Sequence, residues 1–308
     1  RKADAELDAW EGGKNLLFVS YIKPHHPFDP PARFLERFEK SPPPLLPGWT
    51  DQADPELVAS GYCFFPNELL REDTVRRVTG GYYAAIEQID EGIGRLLATL
   101  DAKGLYEKTT IVFLADHGEY LGSHHLLLKN NLMFEPLVRI PLIVKWGEDR
   151  RISNHDHRLV SLLDLAPTLL KKAGMTPPGS MRGMDLRDPN NTRDFVFASQ
   201  RGGLEKMARS RRYKLIHFPK SCLSKFFDLE QDPLELENRI DDPVCKAEVA
   251  SHLRALRNWC PLEEFPTSYL DLQAPVVSHV SDNAASRKLY FQKKMKDLQE
   301  TMSNQETP

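Results

Sequence analysis

Residues 109–115, TTIVFLA, make an apolar run that stops abruptly at Asp116-His117-Gly118. Before it, Val75, Val78, Tyr82, Ile86, Ile89, Ile93, Leu96 and Leu100 recur in steps of three and four. That spacing predicts one long helix over about 73–102, closed by Gly104. A second apolar run, IPLIVKW at 140–146, follows, and NLLFVSY at 15–21 precedes, bounded by Gly12-Gly13 and Pro24. Both predict buried strands. Helix then apolar strand, repeated, constrains the chain to an α/β fold with a largely parallel central sheet.

The remaining segments fill in around that frame. Pro24 to about Pro66 is proline-rich loop, interrupted by a short amphipathic helix at 31–40. Its SPPPLLPGW stretch (41–49) can be neither ordinary helix nor strand, because proline fixes φ and lacks a donor; it reads as a surface excursion near a site mouth. SLLDLAPTLLKKA (161–173) predicts a helix despite Pro167, ended by Gly174 and Pro177-Pro178. Beyond about 190, FVFAS (195–199), YKLIHF (213–218) and KFFDL (225–229) are short strand-like runs, followed by a helix at about 243–258. They predict a small antiparallel sheet carrying one helix. The charged segment 286–300 in the tail reads as a packing helix or an oligomer contact.

Composition excludes several classes. With 41% hydrophobic and 28% charged residues in 308, the chain has a globular composition. Its 41 basic residues are balanced by 44 acidic ones, so no overall field favours nucleic acid or an anionic membrane. No apolar run approaches the roughly 20 residues that span a bilayer. RKADAELDAWEGGKN, the first 15 residues, holds no apolar signal-like core, and the compartment stays open. Cys63, Cys222, Cys245 and Cys260 show no CxxC spacing and predict neither a zinc site nor a disulfide framework.

The chemistry concentrates at strand ends, where open α/β sheets bind ligands. Asp116 and His117 stand at such an end, and Gly118 lets the backbone turn away. A carboxylate and a neutral imidazole there are candidate ligands for a divalent cation, Ca2+ or Mg2+ by the oxygen donor, Mn2+ or Zn2+ tolerated by the histidine. Taken alone, Asp-His-Gly reads first as a polar turn with an Asx-type hydrogen bond. Lys129 follows three leucines, which predicts a partly buried loop in which an ammonium needs an anion. A phosphate- or sulfate-like group beside a metal would supply it. In KPHHPFDPP (23–31), prolines bracket His25 and His26 just past the strand at 15–21. Parallel strands would set them on the same rim as Asp116; taken alone, the motif reads equally as histidines stacked in a proline-rich turn.

YIKPHHPFDPP followed by TIVFLADHGEYLGSHHLLLKNNLMFEPLVRIPLIV resembles the sulfatase family, the formylglycine-dependent sulfuric ester hydrolases of alkaline-phosphatase-like fold. SLLDLAPTLLKKAGMTPP, RRYKLIHFP and KFFDLEQDPLELENRI extend the likeness over roughly residues 14–260, in order. The resemblance implies a sandwich in which residues 1–190 are the C-terminal part of the catalytic α/β domain. Residues 191–268 would be the small antiparallel subdomain and 269–308 a partly helical tail. It implies that Asp116 and His117 are ligands of the catalytic divalent metal, Ca2+ being usual and Mg2+ or Mn2+ open, since many members carry Asn at the position of His117. Lys129 would contact the substrate sulfate and help the leaving oxygen depart. His25 would hydrogen-bond the sulfate or protonate the leaving group. His26 occupies the variable position between, and His124 fits the family's Gly-x-His pattern, near the rim but without an assigned role. Asp116, His117, Lys129 and His25 would converge on one cation-plus-oxyanion pocket.

One part of the pattern has no counterpart. The family makes its nucleophile by oxidising the Cys or Ser of C/S-x-P/A-x-R to formylglycine, and an Asp-Asp pair supplies further ligands. The four cysteines open CFFPN, CLSKF, CKAEV and CPLEE, Ser41 lacks the arginine, and no Asp-Asp precedes residue 14. The expectation is a C-terminal portion that needs the N-terminal half, formylglycine included, from elsewhere. The implied substrate is an aryl or carbohydrate sulfate, with Trp49, Tyr62, Phe64 and Phe65 available to stack on a ring, although loop packing accounts for any one of them. A phosphonate monoester or phosphodiester hydrolase shares these motifs, and an inactive sulfate- or glycan-binding module is the reading from another class.

Overall fold

The structure, a computed structural model, describes residues 2–10, 13–59, 69–129, 132–147, 155–200, 205–218 and 223–259. In chain order the elements are α1 (Lys2–Asp8), α2 (Ala32–Lys40), α3 (Pro55–Ala59), α4 (Glu72–Ala102), β1 (Ile111–Leu114), α5 (Glu135–Val138), β2 (Leu142–Lys145), α6 (Leu165–Lys172), β3 (Val196–Gln200), β4 (Glu205–Arg209), β5 (Tyr213–His217), β6 (Lys225–Asp228) and α7 (Lys246–Trp259). They belong to two compact units. The first comprises Arg1–Leu45, Glu72–Asp116 and Ile140–Val196; the second comprises Leu46–Arg71, His117–Arg139 and Phe197–Pro308.

The long helix α4 organises the first unit. Glu72 and Asp73 in its first turn complement the helix dipole. Gly104 at φ 64° ends it, donating to the carbonyl of Asp101 at 2.8 Å while Leu105 donates to Leu100 at 2.8 Å. Val75 and Leu100 of the predicted stripe are buried at its two ends, but in the middle of the helix the buried residues are the small Thr79, Gly80, Gly81, Ala84 and Ala85 rather than Val78, Tyr82 and Ile86. Close approach explains the choice: a Cβ on Gly81 would stand 2.9 Å from the carbonyl oxygen of Phe28. Helix α2 packs on α4, and Arg33 of α2 reaches Glu91 of α4 at 2.7 Å. Helix α6 tolerates Pro167 because it lies in the first turn, where the missing N–H has no intrahelical acceptor. The turn before it is capped reciprocally by Ser161 and Asp164.

Strands β1 and β2 pair antiparallel, with Phe113 opposite Ile143. The fold is the α/β class that the sequence predicts, but the parallel neighbours expected of its central sheet are not among the described pairings. The NLLFVSY segment departs from expectation. No strand forms at 15–21, and Leu16 and Phe18 are 87% and 83% exposed. An extended apolar segment becomes a buried strand only when a neighbour takes its ladder hydrogen bonds and covers its face, and no described strand does so.

The second unit is built on a four-stranded sheet in the order β3-β4-β5-β6, antiparallel from β4 to β6, with α7 against β4 and β5. This is the small antiparallel sheet with one helix that the sequence predicts. Strand β4, EKMAR, escapes sequence reading because only Met207 and Ala208 are apolar. The core gathers Leu57, Tyr120, Leu126, Leu132, Phe134, Met207, Ile216, Phe218 and Phe227. Lys214 is fully buried within it, its ammonium 3.1 Å from Glu135 and 2.8 Å from Glu235, while Arg209 shares Glu135 at 3.2 Å. The tail 269–308, with its predicted helix, and Tyr62, Phe64 and Phe65 lie outside the described residues. Among the described residues no helix is long and apolar enough to cross a membrane.

Candidate active site

Strand β1 leads to Asp116, the last residue of the first unit's Glu72–Asp116 segment, with the side chain exposed, and His117 opens the second unit's His117–Arg139 segment. Gly118 is required here by close approach: a Cβ would fall 1.9 Å from the carbonyl oxygen of Pro136, and its N–H donates to Leu137 at 2.7 Å. The half-buried His117 ring directs Nδ1 at the carbonyl of Gly118, 2.7 Å away. A carbonyl only accepts, so Nδ1 carries the proton and Nε2 carries the lone pair.

From His117 to Lys129 the chain makes a tight loop with an unusual backbone. Leu121, His124, His125 and Leu128 all have φ between 45° and 66°, left-handed values that cost non-glycine residues on the order of 1 kcal/mol each. Burial offsets this: Tyr120, Leu121, Leu126, Leu127 and Leu128 are all interior. The Tyr120 hydroxyl donates to Leu132 at 2.7 Å. His124 stacks on Phe134 with centroids 4.0 Å apart and lies 3.1 Å through Nε2 from the carbonyl of Glu235. Burial pushes this histidine down to about 4, so it is a neutral packing element. His125 makes a 2.8 Å contact with the carbonyl of Thr50 and tilts against Trp49 at 4.8 Å. The loop is buried as the three leucines predict, but Lys129 itself is exposed, because the chain turns outward after Leu128.

Glu119 is the residue that sequence reading passed over. Its carboxylate accepts from the backbone of Tyr120 at 3.1 Å and Leu121 at 3.5 Å. Burial raises it to about 7, against those N–H groups and the nearby charge of Lys129. The available signal was a carboxylate directly after Asp-His-Gly, inside an otherwise apolar loop.

Of the four predicted residues, His117 and Lys129 thus stand at the two ends of one closed loop in the second unit. His25 and Asp116 belong to the first. His25 is exposed, its Nδ1 2.7 Å from the carbonyl of His26 and its ring stacked on His26 at 4.1 Å, between cis prolines 24 and 27. As at His117, this leaves the lone pair on Nε2.

A divalent cation would find suitable donor chemistry in Asp116 and in a histidine whose other ring nitrogen is tied to a backbone carbonyl. The number of donors falls short: among the described residues no three His, Cys, Asp or Glu side chains gather closely enough to hold a metal ion. The described residues therefore supply part of a metal site and not a complete one.

Comparison with known proteins accords with this loop. The sulfatase family model matches residues 1–175, and the chain belongs to the sulfatase family. An arylsulfatase of Clostridium perfringens is 28% identical over 249 residues, covering 76% of this chain and 51% of the relative. The multifunctional alkaline phosphatase superfamily protein PehA of Trinickia caryophylli is 28% identical over 296 residues, covering 82% and 57%. A phosphonate monoester hydrolase of Silicibacter pomeroyi superposes with a TM-score of 0.71 at 24% identity, over 82% of this chain and 57% of that one. The chain therefore has the alkaline-phosphatase-like fold, and it spans about half the length of the curated relatives it matches.

Proposed function

We propose that this chain is part of a sulfuric ester hydrolase and contributes the groups that grip the sulfate and assist the leaving oxygen. The observation that carries this reading is the closed loop of family sequence that runs from His117 to Lys129 and leaves the ammonium exposed, available to an anion. In the assembled enzyme, the Lys129 ammonium would lie against the sulfate oxygens and oppose the charge that grows as the ester bond breaks. Pre-placed charge of this kind is the largest single source of rate in such sites. His25, once protonated at Nε2, would donate to the departing alcohol oxygen, and its 2.7 Å Nδ1 contact with His26 orients the ring for that transfer. Asp116 and His117 would contribute two donors to a divalent cation, Ca2+ first, with other ligands supplied elsewhere. Family resemblance assigns attack on sulfur to a formylglycine that further polypeptide must provide.

The exposed apolar surface supports a need for that polypeptide. Leu16, Phe18 and Ile22 alternate along an extended segment with no strand beside it, and the Phe113–Ile143 pair lies open on the β1–β2 ribbon. Two-stranded ribbons are marginal alone, and exposed apolar rows of this kind are normally covered.

The substrate class we propose is an aryl or carbohydrate sulfate. Phosphonate monoester hydrolysis is the second reading, favoured by the Silicibacter pomeroyi superposition. Parallel rates on 4-nitrophenyl sulfate and a 4-nitrophenyl phosphonate monoester by the assembled enzyme separate them. A higher kcat/KM on the sulfate ester supports the proposal, a higher value on the phosphonate establishes the second reading, and turnover of neither leaves a non-catalytic binding role.

A further inference from the structure

We infer that Lys23 is a positioning residue for His25. Its ammonium donates to the carbonyl of Pro27 at 2.6 Å and pairs with the carboxylate of Asp29. One side chain at the start of the turn thus holds the turn's far side, across the segment that carries His25 and His26. Inside this clamp the backbone N–H of His25 donates to Ile22 at 3.1 Å, and its Nδ1 meets the carbonyl of His26 at 2.7 Å. The two histidine rings stack at 4.1 Å. The His26 ring stands edge-on to Phe28 at 6.5 Å, and Phe28 edge-on to Tyr82 of α4 at 5.8 Å. The far side of the turn is therefore seated on the helix, with the carbonyl of Phe28 close against Gly81. His25 is joined to that seat by the His26 ring and by the Lys23 clamp.

Burial does not fix the His25 ring, which is exposed, so polar ties and the stack must do so. An exposed ion pair by itself adds little to stability. Lys23 is only half-buried, but it also binds a main-chain carbonyl within the turn, so its contribution is to local geometry rather than to the stability of the fold. Lys23 touches no reacting group in this proposal. It acts through His25, by holding the turn in which Nδ1 stays on the His26 carbonyl and Nε2 is left for the departing oxygen. The consequence for turnover rests on the sulfatase reading above, whereas the geometry of the turn does not.

The ring nitrogens of His25 report the clamp without any turnover. In the isotope-labelled full chain, with the ring neutral, long-range proton–nitrogen couplings show which nitrogen carries the proton, and the parent should show Nδ1–H. Lys23→Met should move His25 toward the Nε2–H form that an unconstrained imidazole prefers, and should weaken cross-relaxation between the His25 and His26 rings. Asp29→Ala removes one of the two ties and should act in the same direction, by less. An unchanged tautomer and ring contact in Lys23→Met would overturn the inference. The catalytic arm uses the assembled enzyme and two esters, because a positioned acid matters most where the leaving oxygen is most basic. Lys23→Met should lower kcat about tenfold on phenyl sulfate and about twofold on 4-nitrophenyl sulfate, with KM nearly unchanged. Equal losses on the two esters would place Lys23 on the sulfate itself and refute the positioning role. So would additive losses in Lys23→Met/His25→Ala, which should be no slower than His25→Ala. An enzyme inactive toward sulfate esters but with the predicted tautomer shift would refute the hydrolase reading and leave the clamp standing.

Discussion

At the scale of single residues, burial sets the behaviour of the two titratable groups that flank the loop's turn. His124 is held down to about 4 in the folded chain against an ordinary 6.5. Unfolding therefore takes up a proton below about pH 6.5. The stability associated with the neutral ring is complete above that pH and is lost as the pH falls toward 4, at about 1.4 kcal/mol per unit. Glu119, raised to about 7, has the opposite sign: the folded form keeps a proton that the unfolded carboxyl releases above about 4.5, so its share of stability falls as pH rises toward 7. The two partly cancel in any raw pH profile, which is why a variant isolates them. His124→Asn should lower the stability at pH 7 relative to that at pH 5 by roughly 2 kcal/mol compared with the parent, measured by urea unfolding at both values. Tyr120→Phe tests packing at the same scale. Losing the hydroxyl leaves the buried carbonyl of Leu132 without that donor, at a cost of about 1–2 kcal/mol in the same assay.

At the scale of elements, the second unit ties its loop to its sheet through buried charge. Lys214 on β5 joins Glu135, the first residue of α5, to Glu235, whose carbonyl meets His124. Lys214→Met should cost about 3–5 kcal/mol in chemical denaturation, since it takes the ammonium from buried Glu235 and leaves Glu135 with Arg209 alone. None of this cluster was legible in the sequence, because a lysine within YKLIH reads as a solvent-facing residue until the fold shows both faces of β5 covered. The elements themselves were more legible. The helices at Glu72–Ala102, Ala32–Lys40 and Lys246–Trp259 and the strands β1, β2, β3, β5 and β6 follow from periodicity and apolar runs. Periodicity failed where a different force decides. On the middle of α4 the buried side is chosen by backbone approach at glycine and alanine rather than by apolar bulk, and in β4 buried Glu205 and half-buried Lys206 and Arg209 mask the strand. The candidate site could be proposed from residue types at family spacing. What spacing could not convey was that the chain turns outward at Lys129 after three buried leucines, because burial is set by tertiary packing.

At the scale of the whole molecule, the exposed apolar rows set the expected behaviour. Leu16, Phe18, Ile22, Phe113 and Ile143 are among the residues that an isolated chain would present to an apolar partner. The chain alone should therefore bind a hydrophobic dye such as ANS, and Leu16→Ser/Phe18→Ser should lower that signal without lowering the melting temperature, because these side chains contribute no buried area. In the assembled enzyme the same double substitution should weaken assembly. The central claim is that Lys129 supplies charge to a transferring sulfuryl group, and its most direct test is turnover of 4-nitrophenyl sulfate by the assembled enzyme carrying Lys129→Ala. The account predicts a fall in kcat/KM of about 10²–10³ with unfolding stability within about 0.5 kcal/mol of the parent, since the side chain is exposed. A variant that hydrolyses the ester at the parent rate would contradict it.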